Sequence, residues 1–195
     1  MEILKSDLYL IKEHLGILKA ANNFDIHDPN TGQIIMECRE PSLGMFTKLL
    51  RFTDYKSMTP FDVQIRTPDG APVVRVKRGI SFFLSQVEVT DADNRLIGIF
   101  KQKLFSIGGK FDLIDANERL ICQLKGNLIG WDFKFLRDET ELAHVSKKWS
   151  GLGKEFFTSA DNYVLQIQPL VGDNFELRKL ILAAVVCIDM VLKEK

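Results

Sequence analysis

In Phe61-Asp62-Val63-Gln64-Ile65-Arg66 and in Trp131-Asp132-Phe133-Lys134-Phe135, every second residue is apolar and those between are charged or amide. A period of two puts the apolar side chains on one face of a strand and leaves the other wet. The pattern recurs as a unit of one β-like run, a turn rich in Asp, Asn or Gly, and a second run. Six such hairpins are predicted. They pair Phe24–Asp28 with Ile34–Arg39, Phe61–Arg66 with Val73–Lys77, Gln86–Thr90 with Leu96–Lys101, and Phe111–Asp115 with Arg119–Leu124. The last two pair Trp131–Leu136 with Glu141–Ser146 and Glu155–Thr158 with Tyr163–Gln168.

From the third turn onward the turns recur about every 22 to 24 residues, too few to insert a crossover helix, so neighbouring strands should be antiparallel. Roughly twelve strands in a meander tend to curl and close, which removes exposed edges. A barrel that wide is not filled by its own side chains. The end of the chain supplies a filler. Leu180 to Leu192 is thirteen residues of almost continuous apolar character, interrupted by Asp189. At about 1.5 Å per residue it covers only roughly 20 Å of a hydrocarbon core about 30 Å thick. Asp189 would be costly in lipid, and no polar stripe suits the segment to a protein surface. The expectation is a helix near 174–195 buried in the protein through Leu180, Ile181, Val185, Val186, Ile188 and Asp189.

The 39-residue gap between the first two turns breaks the rhythm. There Ser42 could cap a short amphipathic helix near 42–53 that exposes Lys48 and Arg51 and covers a barrel mouth or edge. The 195 residues suit one domain, 1–195, and 46% hydrophobic content is enough for a core. The 26 basic and 26 acidic residues cancel, so no overall field favours nucleic acid or an anionic membrane. Cys38, Cys122 and Cys187 are dispersed in apolar runs, as expected of buried thiols in a reducing compartment. Met1 to Leu10 lacks the continuous apolar region of a secretory signal.

With hairpins and a terminal apolar helix established, further residues carry a family resemblance. They are Tyr9-Leu10-Ile11-Lys12-Glu13, Phe24-Asp25-Ile26-His27-Asp28 with Gly32-Gln33, Gly153-Lys154-Glu155, Phe157-Thr158-Ser159-Ala160-Asp161-Asn162-Tyr163 and Cys187-Ile188-Asp189. In these the chain resembles the phospholipid scramblase and LURP-one-related proteins of the Tubby-like superfamily. The resemblance implies a mainly β fold, a twelve-stranded antiparallel closed barrel around a buried hydrophobic C-terminal helix. It also implies lipid chemistry, since Tubby-like relatives bind phosphoinositide head groups and scramblases are linked to calcium-dependent lipid movement between leaflets. The palmitoylated cysteine cluster and Pro-rich extension of animal scramblases have no counterpart in this sequence.

The positions matching the scramblase calcium segment are Ser159, Asp161, Tyr163 and Leu165, with Leu170 where a closing Asp is expected and Asp173 three residues beyond. Calcium takes six to eight oxygens, usually several of them carboxylates. Asp161 and Asp173 alone make a weak calcium site, and Asp161-Asn162 reads first as a turn.

No catalytic constellation stands out. Gly108-Gly109-Lys110 lacks Walker spacing and leads into a strand, while His14, His27 and His144 lie on separate elements without metal spacing. The binding candidates are basic. Arg75, Lys77 and Arg78, with Lys101 and Lys103, fall on second strands of consecutive hairpins; Arg75 shares a face with Lys77, and Lys101 with Lys103. They could offer a cationic strip to anionic phospholipid head groups. Lys147-Lys148-Trp149 joins cations to an interfacial aromatic.

The leading expectation is a non-catalytic, cytoplasmic protein without cofactor, peripheral at the inner face of a membrane, that binds anionic phospholipid. The alternatives are a soluble scaffold that docks another protein and, third, transbilayer scrambling.

Overall fold

The computed structural model describes residues 2–14, 23–40, 60–79, 86–102, 110–127, 130–147 and 162–192. They form twelve strands and one long helix. The strands are β1 (Leu8–Glu13), β2 (Phe24–His27), β3 (Ile34–Arg39), β4 (Phe61–Arg66), β5 (Pro72–Arg78) and β6 (Gln86–Asp91). They continue as β7 (Leu96–Gln102), β8 (Phe111–Ile114), β9 (Leu120–Asn127), β10 (Asp132–Arg137), β11 (Thr140–Ser146) and β12 (Asn162–Ile167), followed by helix α1 (Phe175–Leu192). Each strand pairs antiparallel with its neighbours in sequence, and β1 closes the barrel on β12.

Five of the six expected hairpins form with nearly the expected bounds. The sixth is corrected. Both edges of β12 are taken, one by β11 and the other by β1. The twelfth strand is instead β1, whose run Leu8-Tyr9-Leu10-Ile11 does not alternate and so lacks the period-two signal. Glu155–Thr158 and the helix expected near 42–53 lie outside the described residues.

The short turns lie at one end of the barrel. Two share a device. Asp91 Oδ1 accepts the amides of Asp93 (2.9 Å) and Arg95 (3.0 Å), while Arg95 Nε donates to Asp91 Oδ2 at 2.9 Å. Asp115 does the same with Asn117 (2.8 Å), Arg119 (2.9 Å) and Arg119 Nε (2.7 Å). In each turn one carboxylate satisfies two amides and an arginine, and the tightest residue, Asn94 or Glu118, takes positive φ.

Helix α1 occupies the interior. From Leu180 to Ile188 every residue is at most 3% exposed, so the segment is apolar all round because it is enclosed all round. Leu180, Ile181, Val185, Val186 and Ile188 are buried as expected; the side chain of Asp189 lies outside the described residues. The helix lies nearest β5, β6, β7 and β12. Strands β8 and β10 contribute the buried rings Phe111, Phe133 and Phe135 to the same core. Gly98 of β7 permits the closest approach: a Cβ there would sit 2.7 Å from Leu180 Cδ2 and 2.9 Å from the Ile114 carbonyl oxygen. Among the described residues no helix is long and apolar enough to cross a membrane.

Asn174 starts the helix, its Oδ1 accepting the Leu177 amide at 3.0 Å. One turn on, Arg178 locks the helix to the first strand. It is 3% exposed and donates to Gly172 O (2.6 Å), Ser6 O (2.8 Å) and Asp7 Oδ1 (2.6 Å). A buried charge is tolerable when it is paired and its donors are satisfied in this way.

Two outcomes are expected in thermal or denaturant unfolding. Gly98→Ala lowers stability by about 1–3 kcal/mol, because Leu180 can yield but the Ile114 carbonyl cannot. Arg178→Met costs about 3 kcal/mol by leaving the Ser6 and Gly172 carbonyls without their donor, whereas wild-type stability in that variant would show the clamp to be idle.

Candidate functional site

Of the basic strip, Arg75, Lys77 and Lys101 stand on the outer wall, each with a carboxylate beside it. Arg75, its side chain 44% exposed, donates through Nε and Nη2 to both oxygens of Asp62 at 2.7 and 2.6 Å. Lys77 lies opposite Asp62 on β4 and Glu88 on β6. Lys101 faces Asp112 across β8, and its Nζ is 3.3 Å from Glu118 Oε1. Strand β6 separates Lys77 from Lys101 and presents Glu88 on the way. The strip is therefore a field of alternating charge, a pattern that separation along the sequence does not show.

Arg78 is corrected. It was expected with the strip but is 1% exposed, with its guanidinium carbon 4.7 Å from the Phe61 ring centroid. Its charge reaches Cys187 of α1 and opposes the burial that pushes that thiol's pKa up. The reason is alternation: Arg78 is one residue from Lys77 and two from the inward Val76, so it turns into the barrel. Lys103 and Lys148 lie outside the described residues.

Lys147 has an aromatic setting built by residues distant in sequence. Its Nζ lies 4.8 Å from the Trp131 ring centroid and 5.1 Å from that of Tyr163, and the two rings stack at 4.8 Å and 30°. These residues come from the position just after β11, the turn before β10, and β12, so only the ladder joins them. Trp149, the partner expected from sequence, lies outside the described residues.

Of the calcium candidates, Ser159 and Asp161 lie outside the described residues, while Asp173 follows the turn beyond β12. Tyr163 and Leu165, at intervening motif positions, point into the core.

A charged network absent from the sequence reading crosses β2, β3 and β4. Asp25 accepts Arg39 Nη2 on one oxygen and meets His14 Nε2 on the other, both at 2.6 Å; Arg39 reaches Glu37 (3.3 Å), which holds Arg66 (3.1 Å). Burial pushes the Asp25 carboxyl up, but Arg39 and His14 outweigh it and hold Asp25 below the usual carboxylate range. The three cysteines are free and buried, and burial raises the Cys122 thiol to about 12. A groove between β9 and the tip of the β10–β11 hairpin also carried no sequence motif; Leu120, Ile121, Leu136, Arg137, Asp138 and Glu139 line it.

The fold is similar to that in an X-ray structure of a protein from Arabidopsis thaliana. That structure is 16% identical, covers 92% of this chain and 91% of its own, and superposes with a TM-score of 0.52, which shows the shared fold. The family is given by sequence: the chain matches the Scramblase family over residues 11–195 and belongs to it. It is similar to a phospholipid scramblase family protein of Schizosaccharomyces pombe, 24% identical over 84% of this chain and 47% of that protein. It is also similar to phospholipid scramblase family member 5 of Homo sapiens, 22% identical over 83% of this chain and 65% of that protein. The chain thus spans about half to two thirds of these relatives.

The Asp25 network sets an acid dependence. Because its folded-state pKa lies below the ordinary value of 3.8, its contribution is fully present above that pH and is lost as pH falls through the lowered value. Asp25→Asn is expected to lower stability at neutral pH and to flatten the loss below about pH 4. Parallel unfolding curves of both proteins from pH 6 to 2 would contradict this.

Proposed function

We propose that this Scramblase family member is a non-catalytic protein that binds phospholipid at the inner face of a membrane, from the cytoplasmic side. The observation that carries the reading is the joint one of family and core. Its relatives are phospholipid scramblase family proteins, and the apolar helix α1 is consumed as the barrel's own core. Contact with lipid then falls to the outer surface, where Lys77 and Lys101 are the exposed or half-exposed cations of the strip that lack a bidentate clamp of the Arg75–Asp62 kind. Each lysine near an anionic leaflet contributes about 1 kcal/mol, and nearby carboxylates reduce this. Binding is therefore expected to be reversible and sensitive to salt.

Flotation with vesicles tests the reading. Wild type is expected to float with vesicles containing phosphatidylserine at low salt and to be released as salt rises. Lys77→Glu with Lys101→Glu should weaken binding by about tenfold or more. Absence of vesicle binding defeats the membrane reading; equal binding by the variant defeats the role of the strip.

A further inference from the structure

The groove on the outer wall has a volume of about 300 Å³ and a floor that includes Leu120, Ile121 and Leu136. A second hollow of about 180 Å³ shares Ile121 and Arg137 with it and reaches Leu177 and Leu180 of the helix. Leu120 is 57% exposed there. Arg137 stands where the two meet. Its Nε donates to the Ile121 carbonyl at 3.0 Å, which orients the guanidinium, and its terminal nitrogens have no partner among the described residues.

Carboxylates rim the same space. Asp138 and Glu139 form the hairpin tip, with Glu139 Oε1 3.6 Å from Lys125 Nζ, and Asp115 and Glu176 line the second hollow. Asp115 is held by Arg119 and Glu139 lies near Lys125, which leaves Asp138 and Glu176 against Arg137, an excess of acid that disfavours a simple anion. The tip has φ of 47° at Asp138 and 67° at Glu139, the conformation that favours Asn-Gly. Two acids therefore occupy positions where the backbone would be more relaxed without them.

We propose that this groove takes the head group of a zwitterionic phospholipid. The phosphate meets the terminal nitrogens of Arg137, the ammonium group meets Asp138 and Glu139, and the glycerol and upper acyl carbons lie on Leu120, Ile121 and Leu136. The assignment rests on the phospholipid-binding reading but uses a surface separate from Lys77 and Lys101.

The probe is dihexanoyl phosphatidylcholine below its micelle concentration, titrated into the full chain while the methyl signals of Leu120 and Leu136 are followed by NMR. Dihexanoyl phosphatidylglycerol, which keeps the phosphate and lacks the amine, and phosphocholine, which lacks the chains, are the comparisons. Saturable shifts are expected with the choline lipid, and both comparisons should bind at least about tenfold more weakly. Arg137→Gln, confirmed folded by its unchanged spectrum elsewhere, should weaken the choline lipid by a similar factor. Asp138→Asn with Glu139→Gly should raise Tm while lowering affinity for that lipid. The assignment is overturned if the glycerol lipid binds the groove equally, if phosphocholine alone binds as tightly, or if either variant retains wild-type affinity. Flotation that persists while the groove stays silent removes the groove alone; loss of flotation in wild type removes the membrane reading itself.

Discussion

The structure depends on a mutual requirement between barrel and helix. A twelve-stranded meander encloses more space than its inward side chains fill, and an apolar segment such as Leu180–Val191 has no stable place in water. Each answers the other. Small residues let the two surfaces meet: Ala183 and Ala184 on the helix are fully buried, and Gly98 leaves room for Leu180 on the wall. The large rings of Phe111, Phe133 and Phe135 enter the same packing from strands outside the helix's nearest set. Arg178 then couples the last element of the chain to the first, so that closing β1 on β12 and seating α1 are parts of one event.

Because the interior is committed to the helix, chemistry with other molecules is left to the exterior. Among the described residues, cross-strand pairs such as Arg75–Asp62, Lys134–Glu141 and Arg66–Glu37 neutralise that exterior locally. Exposed pairs of this kind contribute little to stability, typically under about 1 kcal/mol. Their larger effect is on recognition: a wall of alternating charge attracts a strongly charged surface only weakly and suits partners that carry both signs. The same logic underlies the head group assigned to the groove beside Arg137.

Much of the fold was legible in the residues. Alternation in Phe61–Arg66 and Asp132–Phe135, the turn acids Asp91 and Asp115, and the unbroken apolar run after Arg178 are local signals, each set by neighbours along the chain. They were enough for twelve antiparallel strands, a closed barrel and a helical core, and the family resemblance agreed with them. The non-alternating β1 was missed because a strand with buried residues on both faces has no period of two. The residues proposed to contact lipid were less legible. Lys77 and Lys101 were correctly placed on strands, yet the carboxylates opposite them arrive from β4, β6 and β8 by register.

The sequence by itself determined the periodicity, the turn chemistry and the need to bury the terminal helix, because those follow from each residue's preference for water or for its near neighbours. Tertiary structure decided that Arg78 turns inward over Phe61 and that Trp131 and Tyr163 receive Lys147. Pairing between strands sets these outcomes, and a shift of one residue in register would exchange inward and outward faces along a whole strand.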